Sequence, residues 1–275
     1  MGRTGSADLP LHGGRVPAWL ASRMARLGRV LVEALAIEYG RDEILRRLAH
    51  PFWFQSLGCV MGMDWHSSGI TTSVLGALKR GLGPVEHELG LHVCGGRGRQ
   101  SRKTPDELRA LGERVGVDGD ALAHTSKLVA KVDSAAVQDG YQLYLHGFIV
   151  ADDGKWVVVQ QGMRPETKTA RRYHWLSEGV RSFVDEPHAA ITSLARVGHG
   201  EIVNLTDRRA EASRRAQLEL VARGPDAVLP HLTMPHHHDV RPSDVLVRRL
   251  RGTLAAAAER APADFAELLM TPGLG

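Results

Sequence analysis

Two runs rich in β-branched and aromatic residues, Tyr141 to Val150 and Lys155 to Met163, flank the turn Asp152-Asp153-Gly154. Asp-Gly supplies the positive φ that a tight hairpin needs, and the flanking side chains suit a pleated surface. This β-hairpin constrains the fold more than any other feature, because it places strands near the middle of a chain whose remaining text is largely helical. From Pro17 to Tyr39, Leu20, Met24, Leu27, Leu31 and Leu35 recur at helical spacing, and Gly40 stands where a C-cap belongs. Asp42 to Ala49 reads as a second short helix, and His66-Ser67-Ser68-Gly69 opens a third that runs to about Arg80. Leu91 to Cys94 reads as a short strand. Thr104-Pro105-Asp106-Glu107 offers an N-cap hydroxyl, proline at the first helical position and a capping-box Glu. Helix is also predicted from about Asp118 to Val137, Asp207 to Ala222 and Ser243 to Arg260.

Strands and helices follow one another without regular βαβ alternation. That predicts an α+β fold, mostly helical, with a central β-hairpin and a small mixed sheet. With 275 residues, 43% of them hydrophobic, the chain is long enough to bury a sizeable core. The expected organisation is one main domain over residues 1–260, with a sub-boundary near 115–120, followed by a distinct segment over 261–275. No repeat or low-complexity linker interrupts it.

Charge bears on the partner. The formal net charge is only +4, but six of the 35 basic residues are Lys, leaving 29 Arg. The planar guanidinium suits phosphate recognition. A general bias toward Arg, Ala and Gly explains the excess equally well, so the clusters decide. Cys59 and Cys94 form no metal-type spacing and no disulfide framework, which points to a reducing compartment. No apolar stretch reaches the roughly 18 residues of a membrane helix, and the N-terminal text lacks the apolar core of a signal peptide. A cytoplasmic protein with no membrane partner is the expectation.

Six polar clusters are candidates for chemistry. Asp8, His12 and Arg15 gather around Gly13-Gly14, where a backbone can approach a ligand closely or simply turn. Gly62-Met63-Asp64-Trp65-His66-Ser67-Ser68-Gly69 sets Asp64 and His66 close together, as metal ligation or proton sharing requires; its serines suit helix capping. His92 to Thr104 carries Arg97, Arg99, Arg102 and Lys103, with three glycines, directly before a helix start. The spacing is not a P-loop, yet cations, backbone N–H groups and a helix dipole together favour a phosphate.

The fourth cluster joins Asp133 and Asp139 to His146, Gln160 and Gln161 of the hairpin, an acid/base or metal frame. Period-two alternation sends Gln160 and Gln161 to opposite faces, among different neighbours. The fifth sets Arg171 and Arg172 beside Tyr173, His174 and Trp175, a pairing that suits phosphates and stacked bases or simply amphipathic packing. The sixth is His236-His237-His238-Asp239, of which one or two histidines can ligate one ion. No spacing matches a standard zinc signature.

Several long stretches, GSADLPLHGGRVPAWL, PFWFQSLGCVMGMDWHSSGITTSVLGALK, VCGGRGRQSRKTP, AKVDSAAVQDGYQLYLHGFIV, KWVVVQQGM, ARRYHWL and EPHAAI, resemble a prokaryotic family catalogued as domain of unknown function number 763. The resemblance covers Gly5 to Gly275 and implies no activity of its own. The ending from Phe265 to Gly275 resembles the first helix and Pro-Gly-hydrophobic-Gly turn of a helix-hairpin-helix motif. That resemblance implies DNA-phosphate contacts at Gly273 and Gly275. Without a second helix to pack on, Asp264 to Gly275 is expected to be loosely docked.

These clusters lead to a DNA-acting hydrolase, a metal-dependent nuclease or related repair enzyme. In this reading Asp64, Asp133 and Asp139 supply carboxylates, and His66, His146 and His174 carry protons. Asp64, His66 and Asp133 hold a divalent metal ion. Arg15, Arg97, Arg99, Arg102, Lys103, Arg171 and Arg172 hold phosphates. The alternatives are a non-catalytic DNA-binding or scaffolding module in repair, and a base-excision glycosylase. Convergence of the acids and histidines in one pocket would favour the enzyme; their dispersal would favour the binding module.

Overall fold

The computed structural model describes residues 9–10, 16–192, 202–231 and 247–274. In chain order the elements are β1 (Leu9–Pro10), α1 (Ala18–Ala49), α2 (Pro51–Val60), α3 (Gly69–Leu82), α4 (Glu86–Leu89), β2 (Leu91–Arg97), α5 (Thr104–Val115), α6 (Gly119–Lys131), β3 (Val137–Gln138), β4 (Gln142–Ala151), β5 (Trp156–Arg164), β6 (Thr169–Leu176), β7 (Ala190–Thr192), β8 (Val203–Asn204), α7 (Glu211–Ala222), α8 (Pro225–Val228), α9 (Val247–Arg260) and α10 (Phe265–Met270). The fold is α+β. The chain forms two compact units: the first takes Met1–Ser126, Tyr141–Val180 and His188–Arg196, the second Lys127–Gly140, Arg181–Pro187 and Val197–Gly275. The division first falls at Ser126, within α6, rather than near 115–120. It crosses the chain repeatedly, and so leaves no linker to be read in the sequence.

The first unit is built on the expected hairpin. Strands β4 and β5 pair from Val150↔Trp156 to Gln142↔Met163, and Gly154 at φ 83° closes the turn. The sheet is larger than the small mixed one expected. Its strand order is β1-β6-β5-β4-β2, with β7 added on β6, and every described pairing is antiparallel. Strand β6 is the element that the sequence concealed. Its text TARRYHWL does not alternate, because both faces of the strand are covered and both carry polar side chains.

One face of the sheet meets α1, α2 and α3. Leu145, Ile149, Val157 and Val159 pack there with Met24, Val32, Leu48 and Leu78 in one core. Small residues set the approach. A Cβ on Gly81 of α3 would run into the backbone carbonyl of Ala25, and one on Gly147 of β4 would lie 2.6 Å from Leu75 Cδ1. Gly40 breaks α1 as predicted: its φ of 78° and ψ of 171° stop the first helical segment before Arg41 resumes. The opposite face carries Phe148 and Trp156, ring centroids 5.4 Å apart, and α5 packs on β2 and β4.

At the start of α3 the N-cap residue Ser68 makes no side-chain capping bond, and the preceding serine turns the chain instead. Ser67 Oγ accepts the N–H of Gly69 at 3.0 Å. The start of α5 also lacks the expected cap. Thr104 is buried, and its hydroxyl donates to Ser101 O at 2.8 Å instead of capping the helix.

In the second unit, β3 and β8 form a two-stranded antiparallel ladder. Helix α10 is firmly seated. Asp264 Oδ1 accepts the Glu267 N–H at 2.8 Å, and Phe265, Leu268 and Leu269 are buried. The expectation of a loose tail is therefore corrected: α7 of the same unit provides the packing partner that α10 was thought to lack. Beside α10 lies an apolar cavity of about 350 Å³, walled by Leu220, Leu250, Leu254 and Phe265 with Gln138 and Gln217. Among the described residues, no helix is long and apolar enough to cross a membrane.

The glycine contacts make a direct prediction. Gly81→Ala forces α3 away from the α1 backbone, and Gly147→Val wedges Leu75 off the sheet. Each change should destabilise the fold by about 1–3 kcal/mol, as overpacking does. Ala at Gly76, whose surroundings are open, should not. Denaturant midpoints of the three variants check this.

Candidate functional site

Strand β2 ends in a loop that the fold grips tightly. Gly95 and Gly96 have φ of 84° and 147°, and a Cβ at Gly95 would run into the His146 carbonyl, so only glycine permits this approach to β4. Lys79 Nζ donates to Gly95 O at 2.9 Å and to Glu107 Oε2 at 2.6 Å, while Glu107 Oε2 accepts the Gly95 N–H at 2.7 Å. From Gly98 to Lys103 the chain makes a tight 3-10 turn, which Ser101 Oγ closes on Gly98 O at 2.6 Å.

On this clamped turn Arg97, Arg99, Arg102 and Lys103 are all exposed. None of them is in an ion pair with a carboxylate among the described residues. Three other exposed arginines of the unit are paired: Arg109 with Asp120 at 2.8 Å, Arg114 with Glu86 at 2.8 Å, and Arg46 with Glu178; Arg23, Arg26 and Arg80 are exposed without an ion pair among the described residues but are not gathered on one turn. The loop's positive field comes from side chains more than from backbone. Glu107, read in sequence as a capping-box residue, takes the Gly95 N–H, and the first turn of α5 also carries Asp106.

Beneath the loop lies a buried polar network on the helix-covered face of the sheet. The Thr71 hydroxyl donates to Gln161 Oε1 and accepts from Arg172 Nε at 2.8 Å. Arg172 Nη2 donates to Gln55 Oε1 at 2.7 Å, and its guanidinium lies 4.8 Å from the Phe54 ring centroid. Gln55 Nε2 donates to Trp65 O. Gln161 Nε2 donates to Ser68 O at 3.1 Å and to the Tyr144 hydroxyl. Tyr144 in turn lies beneath the Arg97 guanidinium, 5.7 Å from ring centroid to Cζ. Side-chain contacts thus run from the Trp65-to-Ser68 loop through the core to the basic loop. Gln55, Thr71 and Tyr144 were not singled out from the sequence; Gln55, a lone amide within the apolar run PFWFQSLGCV, was the available signal.

Arg172, read from sequence as a phosphate ligand, lies inside this network. Arg172 is buried, it donates to the Thr71 hydroxyl and the Gln55 amide oxygen, and burial lowers its pKa to about 9. Arg171 is also buried, and it stacks 4.4 Å from the Tyr141 ring. Both arginines hold strand β6 in the interior of the unit.

His146 sits on the opposite face. Its Nδ1 lies 2.6 Å from Gln160 Oε1, which can only accept, so Nδ1 carries the proton. Nε2 then accepts from the Ser126 hydroxyl at 2.8 Å. Desolvation lowers the imidazole pKa to about 4, so the ring is neutral at physiological pH. The alternation argument thus identified the separation correctly: Gln160 serves His146 on one face, and Gln161 serves Thr71 and Tyr144 on the other.

His174 faces the same way as Gln161. Its Nδ1 donates to Leu48 O at 3.1 Å, its Nε2 is buried without a hydrogen bond, and burial holds its pKa well below the usual value. His146 and His174 therefore lie on opposite faces of one sheet and share no site. Asp64 and His66 are exposed on the loop before α3, where Asp64 Oδ1 accepts the His66 N–H at 3.4 Å. Asp133 and Asp139 are buried in the second unit, Asp133 within a π-helical turn from Val132 to Ala136. Among the described residues, no three His, Cys, Asp or Glu side chains come together as metal ligands. Asp8, His12, Arg15, the histidines at 236–238 and Gly275 lie outside the described residues.

The profile of a protein family of unknown function, DUF763, matches residues 5–275. The chain belongs to that family. Comparison with curated proteins and with solved structures returns no match. The DUF763 motifs read from sequence divide between the two roles just described. VCGGRGRQSRKTP builds the exposed basic loop, whereas KWVVVQQGM and ARRYHWL supply the buried Gln160, Gln161, Arg171, Arg172 and His174.

The buried imidazoles predict a pH dependence. An unfolded histidine binds a proton near pH 6.5, whereas folded His146 does so only near pH 4. Protons therefore favour the unfolded state between these values. The stabilisation is complete above about pH 6.5 and is lost as pH falls toward 4, by up to roughly 1.4 kcal/mol per pH unit for each such residue. His174 acts in the same direction. Urea denaturation from pH 7.5 to 4.5 should show this decline, and His146→Gln should reduce its slope.

Proposed function

We propose that this chain is a nucleic-acid-binding module that grips the phosphate backbone of DNA with the loop from Arg97 to Lys103. One observation carries the reading: four exposed cations, without carboxylate partners among the described residues, stand together on a turn that Lys79, Glu107 and Gly95 hold in place. Such a surface binds phosphates without reading base sequence. Because the turn is ordered before binding, little conformational entropy opposes the contact.

The binding reading is favoured over a hydrolase or a glycosylase by where the acids and imidazoles lie. Within the first unit Asp64 and His66 are exposed, and His146 and His174 occupy opposite faces of one sheet. The 350 Å³ cavity of the second unit has no ionisable side chain among its lining residues, so it offers neither a general acid nor a base. The turn after α10 supports a second backbone contact. Gly273 is exposed at φ 86°, in the Pro-Gly-Leu sequence that resembles a helix-hairpin-helix turn. A cytoplasmic setting accommodates both a nucleic-acid partner and the two free cysteines.

Replacing Arg97, Arg99, Arg102 and Lys103 with Ala should weaken DNA binding equally across unrelated sequences. Each lost phosphate contact should also reduce the log–log salt slope on duplex DNA by about 0.9. Fluorescence anisotropy at several salt concentrations measures both quantities. Unchanged affinity and slope would remove the loop from the interface.

A further inference from the structure

The outer face of α1 carries an ordered stripe that the fold leaves uncovered. Trp19, Arg23, Arg26, Val30, Glu33 and Ile37 follow one another in alternating steps of four and three, the spacing of a coiled-coil seam. They lie on the side of the helix opposite the buried Met24, Gly28 and Val32. Trp19, Val30 and Ile37 are 66%, 57% and 83% exposed, among the most exposed large apolar side chains described. Scattered apolar residues on a surface need no explanation, but a seam of them in register does.

We propose that this seam joins two copies of the chain through antiparallel pairing of their α1 helices. The charges choose both the occupant and its direction. Along the seam the cations Arg23 and Arg26 precede the anion Glu33, with apolar residues at either end. In an antiparallel pair centred on position 28, Trp19 meets Ile37, Arg23 meets Glu33, and Arg26 lays its aliphatic stem along Val30. Two-fold symmetry repeats each contact. A parallel pair would instead set Arg23 on Arg23 and Arg26 on Arg26. Glu33 already accepts from Arg29 of its own helix at 2.7 Å, so the incoming Arg23 completes an alternating charge row rather than competing with an apolar neighbour. Gly40 ends the straight segment just beyond Ile37. From Ala18 to Tyr39 that segment is about 33 Å long, enough for a continuous two-helix interface.

The test uses the full chain and two charge reversals at solvent-facing positions. The unmodified protein should sediment as a dimer. Arg23→Glu alone sets carboxylate against carboxylate at both symmetric sites, and Glu33→Arg alone sets guanidinium against guanidinium. Each should weaken self-association by roughly tenfold or more, since facing like charges are strongly unfavourable. Mixing the two variants restores opposite charges at both sites, so two weakly associating proteins should form a heterodimer. Thermal melts confirm that each variant is folded. The proposal is overturned by a wild-type chain that is monomeric at its highest soluble concentration, by a dimer unaffected by either reversal, or by folded variants that fail to associate when mixed.

Discussion

The first unit depends on a sheet covered on both faces whose strands nevertheless carry amides, guanidinia and imidazoles. Water is not available to these groups, so each needs a partner within the protein. Strand β5 meets this demand from the centre. Its successive residues Gln160 and Gln161 point to opposite faces and anchor one polar network on each. On the helix side, Thr71 mediates between Gln161 and Arg172 by donating one hydrogen bond and accepting another. Leaving any one of these buried groups unsatisfied costs about 1–3 kcal/mol, comparable to deleting a core methyl or two. The network therefore fixes α2, α3 and the loop between them against the sheet with a specificity that apolar packing alone lacks.

The basic loop inherits its rigidity from that arrangement. Gly95 can press on the His146 carbonyl because it has no Cβ, and Lys79 and Glu107 then fasten the same peptide from α3 and α5. Glu107 neutralises Lys79 and engages a backbone amide. The four cations further along the turn remain turned toward solvent. Division of labour among charged residues is thus spatial: paired at the base of the loop, unpaired at its tip. Arg97 bridges the two regions through the Tyr144 ring, whose hydroxyl belongs to the buried network.

The close approach of α1 and α3 at Gly81 and Ala25 has a consequence on the far side of α1. The inner face of that helix is consumed by the core, with Gly28 against Met61 and Leu78. On its outer seam Trp19, Val30 and Ile37 stay exposed among the described residues. An amphipathic helix that is apolar on one stripe needs one partner, whereas α1 carries two stripes, and the second lies outside the reach of its own unit.

Local signals determined much of what the sequence shows. The hairpin at Asp153-Gly154, the break at Gly40 and the opposite directions of Gln160 and Gln161 follow from φ preferences and side-chain periodicity, which act over a few residues. Other features were settled only in three dimensions. Strand β6 reads as a phosphate-binding cluster because a guanidinium in the core and one in solvent look alike in sequence; Phe54, Thr71 and Gln55, remote in the chain, decide that Arg172 is internal. Thr104 and Glu107 have the chemistry of helix caps, yet Ser101 and Gly95 lie within reach and take their hydrogen bonds. Asp64, Asp133, His146 and His174 each stand in a polar neighbourhood along the chain. Whether His146 and His174 share a site depends on sheet face, which is fixed by which distant segments can bury one another.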